Sequence, residues 1–422
     1  RGWLFTGFPW LALGYSQAPG SPLAGYAPVL GVFGVSLTVA VAAGALAWMG
    51  ERFSARQSPA RGQRLMLVVF DAGVWLIIAL LIAGAGMKGR EWTRPLPGEP
   101  TGVALLQGNI PQEQKWDEAA QGGILQRYER LTHEAVASQP DLIIWPETSV
   151  PGVLFLDTDL TQRVQALVRA VGTPLLAGAP TVLLSKFLGG RLGNSAVLFD
   201  ATGEIGGRYD KLHLVPFGEF IPGESLAPWL RSLLPPIGDF VPGGDHTVFG
   251  VDSRLKTQDS SQISDNRDQT SDFRLQTSDK TRFGVLICFE DIFPQLARRL
   301  VQGGAQVLVV ITNDAWFGKT AAAYQHAQAS TFRAVELRVP VVRSANTGWS
   351  GCITDRGQRV ASVRDAEGQE LFVEGIAVCD VAEGAAPTLY EQWGEWFAWL
   401  CLAASLVGSL FGIIKVKRSA FH

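Results

Sequence analysis

Three residues of this chain carry side chains suited to acyl chemistry, and each stands where an apolar run gives way to a loop. Glu147 ends the run DLIIWPE and is followed by the loop TSVP. A carboxylate at the end of a buried strand is partly desolvated, which suits it to take a proton from a nucleophile. Lys211 lies in YDKLHLVPFGEFIP, where a fixed cation can stabilise a developing oxyanion. Cys288, in GVLICFEDIFP, stands at the end of a very apolar strand, and a thiol so placed is a nucleophile when a base and a cation lie nearby. Taken singly, a strand-end cysteine is more often a small core residue, a strand-end glutamate a cap, and a loop lysine a surface charge. Together they make a base, an oxyanion-stabilising cation and a nucleophile. A papain-like Cys–His pair through His213 or His326 stays open on residue types alone, whereas no G-x-S-x-G elbow is present.

Two further acids belong near these residues. Glu219, in PFGEF, is placed to orient Lys211, and Glu290 lies on the thiol side of the chain if the strand before Cys288 continues. The elements that must position them alternate. Residues 102–110, 141–147 and the runs PLLAGAP, NSAVLFD, RFGVLICFED and AQVLVVITND read as strands. Residues 125–137, 160–172 and 326–340 carry apolar side chains at helical spacing. This is an α/β domain with the sheet inside. Residues 252–281 break the pattern: they are polar and contain QTSD twice, which predicts a disordered insertion without chemistry. Residues 223–242 mix prolines and glycines with Leu226, Trp229, Leu230 and Phe240, and are expected to form a mobile apolar loop over the site.

The chain has 422 residues, 47 % hydrophobic and only 18 % charged, against about 25 % charged in an ordinary soluble protein. Lys and Arg total 36 against 39 Asp and Glu, so no basic footprint argues for nucleic acid. Four cysteines, with no C-x-x-C among them, are too few for a disulfide framework or a zinc site. Residues 29–49, 65–87 and 396–414 are each close to the ~20 apolar residues that cross a bilayer. Arg52, Arg56, Arg61 and Arg64 face one acid, Glu51, and Lys415, Lys417 and Arg418 face none, which places both segments in the cytoplasm. The expected layout is an extracytoplasmic arm over 1–28, helices over 29–49 and 65–87 joined by a cytoplasmic loop over 50–64, an extracytoplasmic catalytic domain over 88–392, a last span over 396–414 and a cytoplasmic tail over 415–422. The chain opens on Arg1 without a methionine or signal peptide, so residues upstream are expected.

WPE, DKLHLVPFGE and CFE after an apolar strand resemble the Glu-Lys-Cys signature of the nitrilase superfamily. With GFPW, GYSQ, GNIPQEQKW and NDAWFG, and with membrane spans around the block, the chain resembles the apolipoprotein N-acyltransferase family. That resemblance implies a nitrilase-like αββα sandwich inserted between transmembrane helices of a bacterial inner membrane. It implies eight spans, five of them upstream of this sequence. It also implies two-step acyl transfer, from a phospholipid donor to the amino group of a diacylglyceryl apolipoprotein, through a thioester on Cys288. Glu147 would accept protons, Lys211 would hold the oxyanion, and Glu219 and Glu290 would support them. Trp116, Asn313, Trp316 and Trp229 would line the substrate site. No cofactor or metal is called for, and a monomer is expected. Phe289 stands where some members have tyrosine. The competing reading is a membrane-tethered amidase of the same fold, with water as acceptor.

Overall fold

The computed structural model describes residues 7–54, 62–89, 100–115, 117–183, 191–223, 229, 240–252, 280–382 and 387–419. Two six-stranded sheets form its centre. The first runs in the order β12-β1-β2-β3-β4-β5, from β1 (Thr101–Gln107), β2 (Leu142–Ile144), β3 (Leu175–Leu183), β4 (Arg191–Phe199), β5 (Ile205–Asp210) and β12 (Gly375–Val381). The second runs β11-β10-β9-β8-β7-β6, from β6 (Val248–Asp252), β7 (Lys280–Ile287), β8 (Val307–Thr312), β9 (Val341–Ala345), β10 (Gly351–Ile353) and β11 (Arg359–Ser362). Each sheet has a parallel centre, β1-β2-β3 or β7-β8-β9, and antiparallel strands at its edges.

Strand alternation decides the layers. Val103, Leu105, Ile144, Val285, Ile287 and Val309 point between the sheets into one core. Ala104, Leu106, Ile143 and Trp145 point outward onto α3 (Gln121–Val136) and α4 (Thr158–Val171). Leu286, Leu308 and Val310 point onto α5 (Pro294–Gln302) and α6 (Ala322–Leu337). The result is the expected αββα sandwich. Local signals set its helices: the Asp157 carboxylate accepts from Leu160 N at 3.0 Å to start α4, which stops at Gly172. Asp252 opposes Lys280 across the β6–β7 pair, so the ends of the expected insertion belong to strands and residues 253–279 lie outside the described residues.

The long apolar helices are α1 (Ala27–Ser54), α2 (Gly62–Gly89) and α8 (Trp396–Ser419), the last following the short α7 (Leu389–Trp393). Among the described residues one, over 22–51, is long and apolar enough to cross a membrane, and 72–87 and 396–409 are shorter apolar helices. α1 is broken at Gly31, whose φ of 64° and whose contact with the Tyr390 ring leave no room for a side chain. Beyond the break, Val32 N donates to the Glu336 carboxylate of α6 at 2.7 Å.

One feature was not legible in the cysteine count. Cys352 of β10 and Cys379 of β12 are disulfide-bonded and tie one sheet to the other. Closing a loop of 27 residues is worth about 3.5 kcal/mol against the unfolded chain. Cys379→Ser is therefore expected to lower the unfolding free energy of the oxidised protein by that amount, read as a lower urea midpoint, and dithiothreitol to lower the parent's midpoint but not the variant's. Equal midpoints for parent and variant would show that the bridge carries no stability.

Candidate active site

Glu147 stands three residues past β2, on a loop that crosses β3. Its backbone lies so close to Gly178 that a Cβ there would fall 2.4 Å from Pro146 O and 2.7 Å from Glu147 Cα. Beneath it, buried Trp145 stacks on Tyr128 and donates from Nε1 to Thr132 Oγ1 at 3.0 Å, which fixes the loop's base. The carboxylate is 5 % exposed and both oxygens are engaged. Oε1 accepts from Asn194 Nδ2 at 2.7 Å and Oε2 from the backbone N–H of Asn313 at 2.8 Å.

Lys211 follows β5 directly and is 1 % exposed. Its Nζ lies 2.9 Å from Glu219 Oε1 and 3.5 Å from Glu147 Oε1. Burial works against the ammonium, but Glu219 and Glu147 outweigh it and hold its pKa above the ordinary lysine range. Asn194 donates to Glu219 Oε1 as well, at 2.8 Å, so one amide bridges the two carboxylates that share the lysine. Glu219 Oε2 accepts from Val215 N at 2.8 Å, which folds the PFGEF loop back onto its own lysine.

Cys288 comes immediately after β7 and is buried, with a φ of +53°. A non-glycine residue in this region is strained and holds only where its surroundings fix it. Burial and the nearby Glu147 push the thiol pKa up, with Lys211 opposing, so the sulfur rests protonated at neutral pH and needs a base. The strand does not continue to Glu290: Cys288–Ile292 is a 3-10 turn. Glu290 turns underneath instead and accepts from Ile287 N at 2.8 Å, Leu212 N at 2.7 Å, His213 N at 3.0 Å and Tyr209 OH at 2.9 Å. One carboxylate thus joins the loop after Lys211 to the turn of Cys288. Burial raises its pKa to about 7 against these donors.

Behind the turn lies a fully buried charge cluster. His326 Nδ1 meets Asp314 Oδ1 at 2.8 Å, and Nε2 lies 2.9 Å from Asp291 Oδ1 and 3.3 Å from the Cys288 carbonyl. Arg343 of β9 pairs with Asp291 at 2.9 Å and with Asp314 at 3.1 Å, and Ser330 donates to Asp291. Burial disfavours the imidazolium, yet Asp291 and Asp314 hold the His326 pKa at about 9. Both its nitrogens face these carboxylates and the Cys288 main chain, which argues against a papain-like thiol–imidazole pair through this residue. His213 packs its ring on Phe289 and Phe293.

Of the residues expected to line the site, Asn313 is buried and reaches Gln112 Oε1 at 2.7 Å, whereas Trp316 and Trp229 are 65 % and 63 % exposed. Trp116 lies outside the described residues, as does the expected apolar loop over 224–239 except Trp229. Phe289 packs on Phe8 of the GFPW segment and on Phe293. Asn194, Asp291, Asp314 and Arg343 were not singled out from the sequence, and His326 only as a partner for the thiol: none has a spacing that marks the cluster, and only the tertiary fold brings them to the site.

Residues 102–383 match the family model described as carbon-nitrogen hydrolase, and residues 1–45 that of the apolipoprotein N-acyltransferase N-terminal domain. A Geobacter metallireducens protein named apolipoprotein N-acyltransferase is 38 % identical over 100 % of this chain and 73 % of its own length. Proteins of the same name from Methylococcus capsulatus and Nitrosomonas europaea are each 36 % identical, over 100 % and 99 % of this chain and 72 % and 71 % of theirs. With both family models matched and relatives of this identity along its whole length, the chain belongs to the apolipoprotein N-acyltransferase family.

Proposed function

We propose that this chain transfers a fatty acyl group from a membrane phospholipid to the N-terminal amine of diacylglyceryl apolipoproteins, with Cys288 as nucleophile, Glu147 as base and Lys211 as oxyanion partner. The observation that carries the reading is the buried meeting of Lys211 with Glu147 and Glu219 beside the buried thiol of Cys288 on a strained turn. Glu147 takes the thiol proton as sulfur attacks the ester carbonyl. Lys211 donates a hydrogen bond to the oxyanion, a stabilisation worth several kcal/mol in a site closed to water. The ester C–O bond breaks, Glu147 returns the proton to the lysophospholipid alkoxide, and the acyl group remains on sulfur. The acceptor amine then attacks the thioester and Glu147 takes its proton. The thiolate leaves and is reprotonated. Such a two-step exchange is ping-pong.

Glu219 and Glu290 are positioning residues in this scheme, and we assign Trp116, Asn313, Trp316 and Trp229 to substrate binding. The membrane layout we propose is three spans over 29–49, 65–87 and 396–414, with the domain over 88–392 outside the cytoplasm. Three observations support it: helix 22–51 is only 22 % buried over its apolar window, the arginines of residues 50–64 are one-sided, and a disulfide belongs to an oxidising compartment. A monomer suffices, since every group of the scheme comes from one chain. The test is the intact mass of the full chain in detergent after incubation with phospholipid. One fatty acyl adduct, released by hydroxylamine and by a diacylglyceryl peptide but slowly by water, is expected. Release by water as fast as by the peptide would make the protein a hydrolase.

A further inference from the structure

Lys115 is a second buried lysine at this site, and the scheme above leaves it without a task. It is 6 % exposed, although lysine is among the residues least often buried. Its ammonium has no carboxylate within ion-pair distance among the described residues. Nζ donates to Glu147 O at 2.9 Å, to Thr148 O at 3.2 Å and to Thr148 Oγ1 at 3.0 Å. All three N–H groups are therefore used on two consecutive residues, the first of which is the proposed base. Thr148 has a φ of +46°, an outlier for a β-branched residue, which bends the chain sharply just after Glu147. The same short segment reaches the base from its other side: Gln112 Oε1 accepts from Asn313 Nδ2, and the Asn313 N–H holds Glu147 Oε2.

We propose that Lys115 is the positioning residue of the base: its ammonium clamps the left-handed Glu147–Thr148 turn, and the turn keeps the Glu147 carboxylate on Asn194, Asn313 and Lys211. The inference rests on Glu147 acting as the base in the proposed function. Burial, only partly offset by Glu147 and Cys288, lowers the Lys115 pKa to about 7, so the chain keeps a costly group here that an apolar side chain of the same length would avoid. A residue kept only for packing would not need three hydrogen bonds to one turn. A residue that contacts the lipid would not have its donors consumed.

The experiment follows acylation of the full chain in mixed micelles of phosphatidylethanolamine and phosphatidylglycerol, read by intact mass. Lys115→Met keeps length and apolar stem but has no donors. The maximal rate of adduct formation is expected to fall about a hundredfold while the half-saturating lipid concentration stays within about threefold, since the loss lies in the transition state and not in lipid binding. Adding Thr148→Gly to Lys115→Met should restore at least about tenfold, because glycine adopts positive φ without a clamp. A Lys115→Met protein that acylates within about threefold of the parent overturns the proposal, and so does a slow variant that Thr148→Gly leaves unchanged. If Lys115→Met does not fold, Thr148→Ala, which removes one acceptor, carries the test: a fall of about fivefold in maximal rate supports the clamp and an unchanged rate overturns it. Absence of an adduct on the parent chain would instead overturn the proposed function, which sets the two failures apart.

Discussion

Cys288→Ala is expected to form no acyl adduct at all under conditions where the parent chain is fully acylated. No other thiol on the described residues can replace it: Cys352 and Cys379 are bonded to each other, and Cys401 lies on α8. Loss of a nucleophile costs on the order of 10⁶ in rate where the catalytic groups act as a unit, so residual transfer should sit at background. Cys288→Ser should take an acyl group far more slowly than the thiol, because an alkoxide is much harder to generate than a thiolate. Cys288→Ser should unfold close to the parent's midpoint, since it replaces one buried atom by another of similar size. Intact mass before and after hydroxylamine checks the expectation. A hydroxylamine-sensitive adduct on Cys288→Ala at the parental rate would put the nucleophile elsewhere and end the Glu-Lys-Cys reading.

The second large effect is on stability. Arg343→Met should cost about 3–5 kcal/mol, because it leaves Asp291 and Asp314 with less positive charge in a site from which water is excluded. For a domain of this size the midpoint of thermal unfolding should fall on the order of 10 °C. Arg163→Met provides the contrast. Arg163 meets Glu129 at 2.7 Å with the arginine 46 % exposed, and such a surface pair is worth about 0–1 kcal/mol. Differential scanning calorimetry of the two variants separates the cases. Equal shifts would mean that the cluster behind Cys288 is no more than another ion pair.

The fold was readable where burial leaves a continuous signal. The runs FGVLI of β7 and VLVVI of β8 lie inside a sheet covered on both faces, so they are apolar throughout and announce themselves. The edge strands carry no such mark. β11 is RVAS, exposed at two of its four positions, and β5 is the polar IGGRYD. The site was readable for the same reason that β7 was: a charged or reactive residue at the end of an apolar run stands out. Asn194 does not, because it sits inside a strand and gains its meaning only when β4 pairs with β3 and β5 and turns its amide towards both glutamates. Glu290 was tied to the thiol through a strand that the chain does not make. Its two-residue spacing says nothing of a 3-10 turn, which turns the carboxylate onto backbone N–H groups of a loop near residue 212.

The break at Gly31 has a mechanical consequence. A helix that starts at Val32 exposes N–H groups with no partner of their own, and here one of them is satisfied by Glu336, a side chain of the αββα sandwich. Glu336 is paired in turn with Arg333 at 2.9 Å, both without solvent exposure, and Trp396 Nε1 of α8 donates to Val29 O at 3.0 Å. α1 is thus bolted to the sandwich through a main-chain N–H, and α8 to α1 through a main-chain carbonyl. Sliding α1 along its axis would strip a buried carboxylate of its donor. The distance between α1 and the turn of Cys288 is therefore a fixed dimension of the molecule, and under the proposed layout it is the lipid that must travel along the axis of α1 to bring its ester to the sulfur.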